Sequence, residues 1–166
     1  SELMVANQAL ILEIEDRNRA DKALRDSERR LSDIIEFLPD ATFVIDCDGK
    51  VIAWNRSMET MTGIPAKEML GKGNYEYALP FYGERRPILV DMVLSADEEI
   101  ARRYTKIQRR GDVLFGETNS PRLGDRKENI YLAGTAAPLF DSQGNLVGAI
   151  ESIRDITERK RAEEAL

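Results

Sequence analysis

A seven-residue spacing links Leu3, Leu10, Leu24 and Leu31, with Arg17 at the intervening position. Ala6, Ala20 and Ile34 stand at the companion positions three residues on, where Glu13 and Ser27 interrupt the series. A stripe repeating at this interval is the seam of a coiled coil. A helix lying along its own domain would show a similar stripe, but the residues off the stripe are mostly charged or polar, so the helix requires a partner to cover it. The pattern therefore predicts an N-terminal coiled-coil or signalling helix over residues 1–35 that pairs in parallel with a second copy.

Pro39 closes this helix, because a proline disfavours helical geometry in the residue before it. Beyond it the period changes to that of extended chain. Residues 41–46 (ATFVID) and 51–54 (VIAW) flank CDGK, and the Asp48-Gly49 pair signals a tight primed turn between two antiparallel strands. Short helical patterns follow, broken by Gly63, Pro65, Gly71, Gly73 and Pro80. They close with residues 87–103 (PILVDMVLSADEEIARR), the longest helical stretch of the core. Three extended runs come next, at 113–123, 130–140 and 146–156, the last two joined by the turn sequence DSQGN.

A repeat lies at the edges. IEDRNRADKAL at 14–24 aligns with ITERKRAEEAL at 156–166, matching the isoleucine, two arginines, two alanines and the leucine, with an acid on an acid at two further positions. Good helix formers alone produce some such likeness, but the matched isoleucine and arginines point to common descent. The helix entering the domain is thus expected to be the same kind of element as the helix leaving it, as in modules strung in series by helical connectors. A start at Ser1 and an end at Leu166, each inside a helical pattern, predict a longer parent protein.

Composition narrows the chemistry. The 166 residues carry 30 Asp and Glu against 24 Lys and Arg, a formal charge of −6, so the basic footprint of a nucleic-acid or anionic-membrane binder is missing. No apolar run reaches the length of a membrane span. There is no histidine, which removes imidazole-ligated haem or zinc, triad catalysis and histidine phosphotransfer from this segment. The single cysteine, Cys47, excludes an intrachain disulfide and a multi-cysteine metal site, and fits a reducing, cytoplasmic setting. With no nucleophile–base pair and no metal cluster in the pattern, an enzymatic role is not expected here.

Residues 37–72 (FLPDATFVIDCDGKVIAWNRSMETMTGIPAKEMLGK), 134–157 (GTAAPLFDSQGNLVGAIESIRDIT) and the TERKRAEEAL connector resemble, in this order and spacing, the PAS sensory domains of bacterial and archaeal receptors of the sensor histidine kinase type. The resemblance implies an α+β fold: a five-stranded antiparallel sheet with short helices over one face, here spanning 36–156, with the C-terminal connector helix starting at 157. It also implies a dimeric signalling protein, adjacent PAS or output domains in the parent chain, and often a small pocket. Candidate lining residues are Phe43, Ile45, Trp54, Met58, Met61, Tyr75, Phe81, Leu89, Phe115, Leu132 and Ile150, all of which equally suit a filled core. Arg85 and Arg86 suit either a solvated helix start or, for one of them, a carboxylate clamp. Asn55 matches the asparagine that starts the first short helix, and reads independently as an N-cap. Asp155 and Thr157 match the family's Asp-x-Thr element at the exit of the last strand, and Asp155 with Glu158 also fits a capping box, so the three form a candidate signal joint.

No cofactor is named by the sequence. Histidine-ligated haem is excluded, and a flavin–cysteine adduct is disfavoured because relatives that form one carry the cysteine in the helical region in an Asn-Cys-Arg context, whereas Cys47 lies in the hairpin turn. Two functions follow from these residues: a relay that binds a small cytosolic molecule and acts through its flanking helices, and a ligand-free module that dimerises and spaces other domains. The heptad pattern makes a direct prediction. Light scattering at tens of micromolar is expected to show a dimer for the full chain and a monomer once residues 1–30 are removed; two monomers would overturn the coiled-coil pairing.

Overall fold

The computed structural model describes residues 1–95, 97–120, 122–126 and 128–166. They divide into two compact units, 1–35 and 36–166. The first is taken up by helix α1 (Glu2–Glu36), none of whose residues is buried. Leu3, Leu10, Leu24 and Leu31 are all more than half exposed along it.

The second unit contains strands β1 (Ala41–Asp46), β2 (Val51–Trp54), β3 (Lys106–Arg110), β4 (Val113–Ser120), β5 (Ile130–Phe140) and β6 (Leu146–Asp155). Its helices are α2 (Arg56–Thr62), α3 (Ala66–Met69), α4 (Leu79–Tyr82), α5 (Leu89–Leu94), α6 (Glu98–Arg102) and α7 (Thr157–Ala165), with a 3₁₀ turn at Glu76–Ala78. The strands form one antiparallel sheet in the order β2-β1-β6-β5-β4-β3. Helix α2 packs on β1, α3 on β2, and α5 across β4, β5 and β6. That arrangement buries the inner face, where Phe43, Ile45, Leu132, Ala149 and Ile153 are each less than 5% exposed.

The sheet has six strands where five were expected. The additional strand, β3, reads KIQRR and has only Ile107 shielded from solvent, so it lacks the alternation that marks a half-buried strand. It forms because Gly111, at φ +60°, turns the chain back onto β4. A charged edge of this kind also discourages pairing with a further strand. The stretch read as one helix over 87–103 is two: α5 ends at Leu94, and Asp97 caps α6 by accepting the Glu99 N–H at 2.9 Å. Ala96 in that stretch and Pro121 in the run at 113–123 lie outside the described residues.

The β1–β2 and β5–β6 hairpins use one local device, which in the first replaces the tight primed turn expected at Asp48-Gly49. Asp46 accepts the N–H groups of Asp48 and Lys50 on one carboxylate oxygen, and Gly49 alone takes a left-handed φ of +80°. Asp141 does the same for Gln143 and Asn145, with Gly144 at +82°. Each is a turn closed by a left-handed glycine, a three-residue loop that preserves strand twist. Past the second hairpin, Gly148 faces β1 so closely that a Cβ would fall on the carbonyl oxygen of Ile45. Gly148→Ala is therefore expected to destabilise the fold by about 3 kcal/mol, as overpacking against backbone does, measured by urea unfolding. A loss below about 0.5 kcal/mol would show that the two strands separate freely.

Candidate functional site

The space between the sheet and α5 has been closed by its own side chains. Gly116 and Gly134 lie opposite one another on β4 and β5 and leave a hollow. Leu89, Tyr104 and Glu151 fill it: a Cβ on Gly116 would stand 3.0 Å from the Tyr104 ring, and one on Gly134 would stand 3.0 Å from Glu151 Oε2. A void of about 10 Å³ remains between Tyr82, Tyr104, Thr118 and Glu151, room for about one water.

The polar groups of this chamber hold the start of α5. Three successive N–H groups lacking helical partners are each taken by a different side chain. The Ile88 N–H donates to Asp91 Oδ2 at 2.8 Å, Leu89 to the Tyr104 hydroxyl at 2.7 Å and Val90 to Glu151 Oε1 at 2.9 Å. Ile88 has no side-chain acceptor, so only the Asp91 half of a capping box is present. The Tyr77 hydroxyl donates to the other oxygen of Asp91 at 2.5 Å. Burial pushes the Asp91 carboxyl above the ordinary range, against the pull of the Tyr77 and Ile88 hydrogen bonds. Glu151 is 4% exposed, and burial, with a smaller push from the Asp91 charge and against the Val90 bond, raises its carboxyl from 4.5 to about 8.

Four residues along β6 from Glu151 lies the exit. Asp155 Oδ1 accepts the Thr157 N–H at 2.9 Å and also takes the Thr157 hydroxyl. Thr157 Oγ1 in turn accepts the Tyr131 N–H at 3.0 Å, and the Ile156 N–H donates to the Tyr131 carbonyl at 2.8 Å. The first residue of α7 is thereby stitched to β5. Opposed by partial burial, the Thr157 and Arg126 bonds hold the Asp155 carboxyl below its ordinary range. The capping box expected between Asp155 and Glu158 is not formed. Ile156 occupies the N-cap position, Asp155 reaches only as far as Thr157, and Glu158 is exposed. Farther along α7, Glu117 on β4 lies 3.0 Å from Arg159 and 3.4 Å from Lys160.

Asn55, 1% exposed, caps α2 by accepting the Met58 N–H at 2.9 Å. The same oxygen accepts the Thr42 N–H at 2.9 Å, and Nδ2 donates to the Asp40 carbonyl at 3.0 Å. One amide thus joins α2, β1 and the chain entering it.

The eleven candidate pocket residues separate into groups. Phe43, Ile45, Trp54, Met58, Phe81, Leu89 and Leu132 are buried in the core, and Met61 is half-buried against it. Phe115 and Ile150 belong to the outer face instead. Strand parity puts Leu114 and Gly116, and likewise Ala149 and Glu151, on the inside, which turns their neighbours outward. Tyr75 lies outside the chamber, at φ +57° beside a second left-handed residue, Asn74, where it lines an open cleft with Tyr77 and Asp91. Arg85, exposed, pairs with Glu76 at 2.6 Å and Arg86 stacks 3.5 Å over Tyr82; both lie in the loop between α4 and α5 and not at a helix start. Among the described residues no group of three or more His, Cys, Asp and Glu is placed to hold a metal ion, and no helix is long and apolar enough to cross a membrane.

Residues 35–161 match the model of the PAS fold family. The chain belongs to that family. Among solved structures, the PAS domain of BvgS from Bordetella pertussis is similar with a TM-score of 0.54 and 19% identity, over 84% of this chain and 93% of that one. The PAS domain of an HTR-like protein from Haloarcula marismortui gives 0.50 and 21%, over 84% and 99%. Phage VqmA, solved as a complex with DPO, gives 0.52 and 17%, over 88% and 61%. At these identities the likeness is one of fold. No curated protein matches the chain.

Within this PAS domain, the sequence reading missed Glu151 and Tyr104. The signal for Glu151 was present: in AIESI it occupies the same strand parity as Ala149 and Ile153, which the apolar pattern turns inward. Its burial generates a pH dependence. Below about pH 4.5 the carboxyl is protonated folded and unfolded alike; between there and about 8 only the folded state keeps the proton, so stability falls as pH rises through this window. The loss attributable to Glu151 is expected to be on the order of 4 kcal/mol by pH 9. Urea unfolding at pH 5, 7 and 9 should show it as a steeper decline in the parent than in Glu151→Gln, and parallel declines would refute it.

Proposed function

We propose that this PAS domain is a sensory relay module of a larger cytoplasmic receptor, without catalysis of its own, that passes a change at the sheet to an output domain of the histidine kinase type. One observation carries the reading: β6 runs without interruption from Glu151, which holds α5, to Asp155, which holds the first residue of α7. A shift of α5 by a small ligand or partner therefore has four residues of strand to travel before reaching the outgoing helix. Family frequency favours the kinase as output. The repeat between 14–24 and 156–166 supports neighbouring PAS copies in series, and the uncovered leucines of α1 support a homodimer.

The filled chamber favours a second reading, a module that only dimerises and spaces its neighbours, because 10 Å³ admits no organic ligand. The two part at the exit joint. Asp155→Ala removes the acceptor of the Thr157 N–H and is expected to lower stability by about 1 kcal/mol while the domain stays folded. In the full receptor it should abolish the dependence of output on the stimulus. Melting curves and output activity with and without stimulus make the comparison; a variant that melts slightly lower yet responds as the parent does would show that Asp155 is only a cap and that the joint lies elsewhere.

A further inference from the structure

Beside the exit joint, and apart from the closed chamber, a cleft of about 650 Å³ opens between α2, the 122–126 turn and the end of β6. That volume suits a small organic molecule. Its floor is apolar: the half-buried Met61 lies in it over Ala41, Leu123 and Ile153, which are 2%, 3% and 4% exposed. The guanidinium groups of Arg56, Arg126 and Arg154 stand on its rim with the carboxylates of Asp40 and Asp155. Each arginine is held by an exposed ion pair: Arg154 to Asp40 at 2.9 Å, Arg126 to Asp155 at 3.3 Å, and Arg56 to Glu36 at 3.8 Å.

Exposed pairs of this kind contribute little to stability, so an incoming acid exchanges for them at small loss. A guanidinium offers two parallel N–H donors to a carboxylate, a better match than the single contacts that hold Arg126 and Arg154 through one nitrogen each. An organic cation would meet three guanidinium groups against two carboxylates, a rim of net positive charge. A small hydrated anion would gain nothing from the floor, whereas an alkyl or aryl body would cover it. We propose that this cleft binds an organic carboxylate with an apolar body, its head group taken by Arg126 and Arg154. Arg126 is the residue that holds Asp155 Oδ2, while Asp155 Oδ1 holds the start of α7. The ligand head group and the exit joint therefore draw on the same guanidinium. This assignment supplies the relay reading with a ligand class, but binding is measured without any output, so the two fail separately.

The probe is octanoate, titrated into the full 166-residue chain, with octylamine and octanol as head-group controls. Calorimetry gives affinity, and backbone amide shifts give location. Octanoate is expected to bind saturably, with the largest shifts at residues 40–41, 123–126 and 153–155, and at least about tenfold more tightly than either control. The Arg126→Gln/Arg154→Gln double variant, shown folded by circular dichroism, should weaken octanoate by about tenfold or more. The proposal is overturned if octylamine binds as well as octanoate, if the double variant binds octanoate unchanged, or if the shifts fall on α1 and not on the cleft.

Discussion

Glu151 accepts the Val90 N–H at 2.9 Å inside the chamber, and much of the surrounding structure exists to shelter that contact. A carboxyl enclosed by apolar side chains must either shed its charge or be fully bonded. Burial lifts its titration to about 8, so near neutrality it is largely protonated while still accepting from α5. The glycine at 134 makes room for it, since a Cβ there would crowd Oε2 at 3.0 Å. Tyr104 and Asp91 complete the set by taking the two preceding N–H groups, so a helix of only six residues is positioned by side chains from three places in the chain. Six residues cannot sustain a helix alone; α5 exists where the sheet and its neighbours hold its first turn.

How much of this was legible in the sequence depends on whether the deciding interaction is local. The β1–β2 and β5–β6 hairpins were, because their turn residues act within one loop, although the first closes on a single left-handed glycine and not on a primed Asp48-Gly49 pair. The cap on α2 was legible for the same reason, but not the reach of Asn55 to Thr42 and Asp40, which depends on how β1 returns beside α2. At the end of β6 the sequence singled out Asp155 and Thr157, which are bonded to each other, but the further partner is Tyr131, 26 residues away in sequence from Thr157, in place of Glu158.

Pocket membership was least legible. Phe115 and Ile150 are apolar residues in strands, and composition alone does not say which face they take; their neighbours' parity does. Strand β3 escaped notice because its edge position leaves its side chains in water, so no apolar alternation was needed to form it. The chamber is filled because Gly116 and Gly134 lie side by side in register and admit Leu89 and Tyr104 between α5 and the sheet. That pairing joins residues from two strands and cannot be read from either one.

The interactions of the PAS unit fall into two classes with different consequences for local stability. Asn55 and Glu151 are buried, and breaking their bonds strands polar groups away from water, at about 1–3 kcal/mol for each group left unsatisfied. The contacts around α7 are different in kind: Arg126 to Asp155, Arg154 to Asp40 and Arg159 to Glu117 each involve an arginine more than half exposed. Each such pair contributes about 0–1 kcal/mol, and α7 has only nine residues, too few to hold a helix without them. Elements that move in a response are drawn from the least stable part of a structure. The buried ties keep the sheet, α5 and the first residue of α7 as one body, since Thr157 is 5% exposed and bonded to Tyr131, so the place where this domain can change at small cost is α7 beyond that residue.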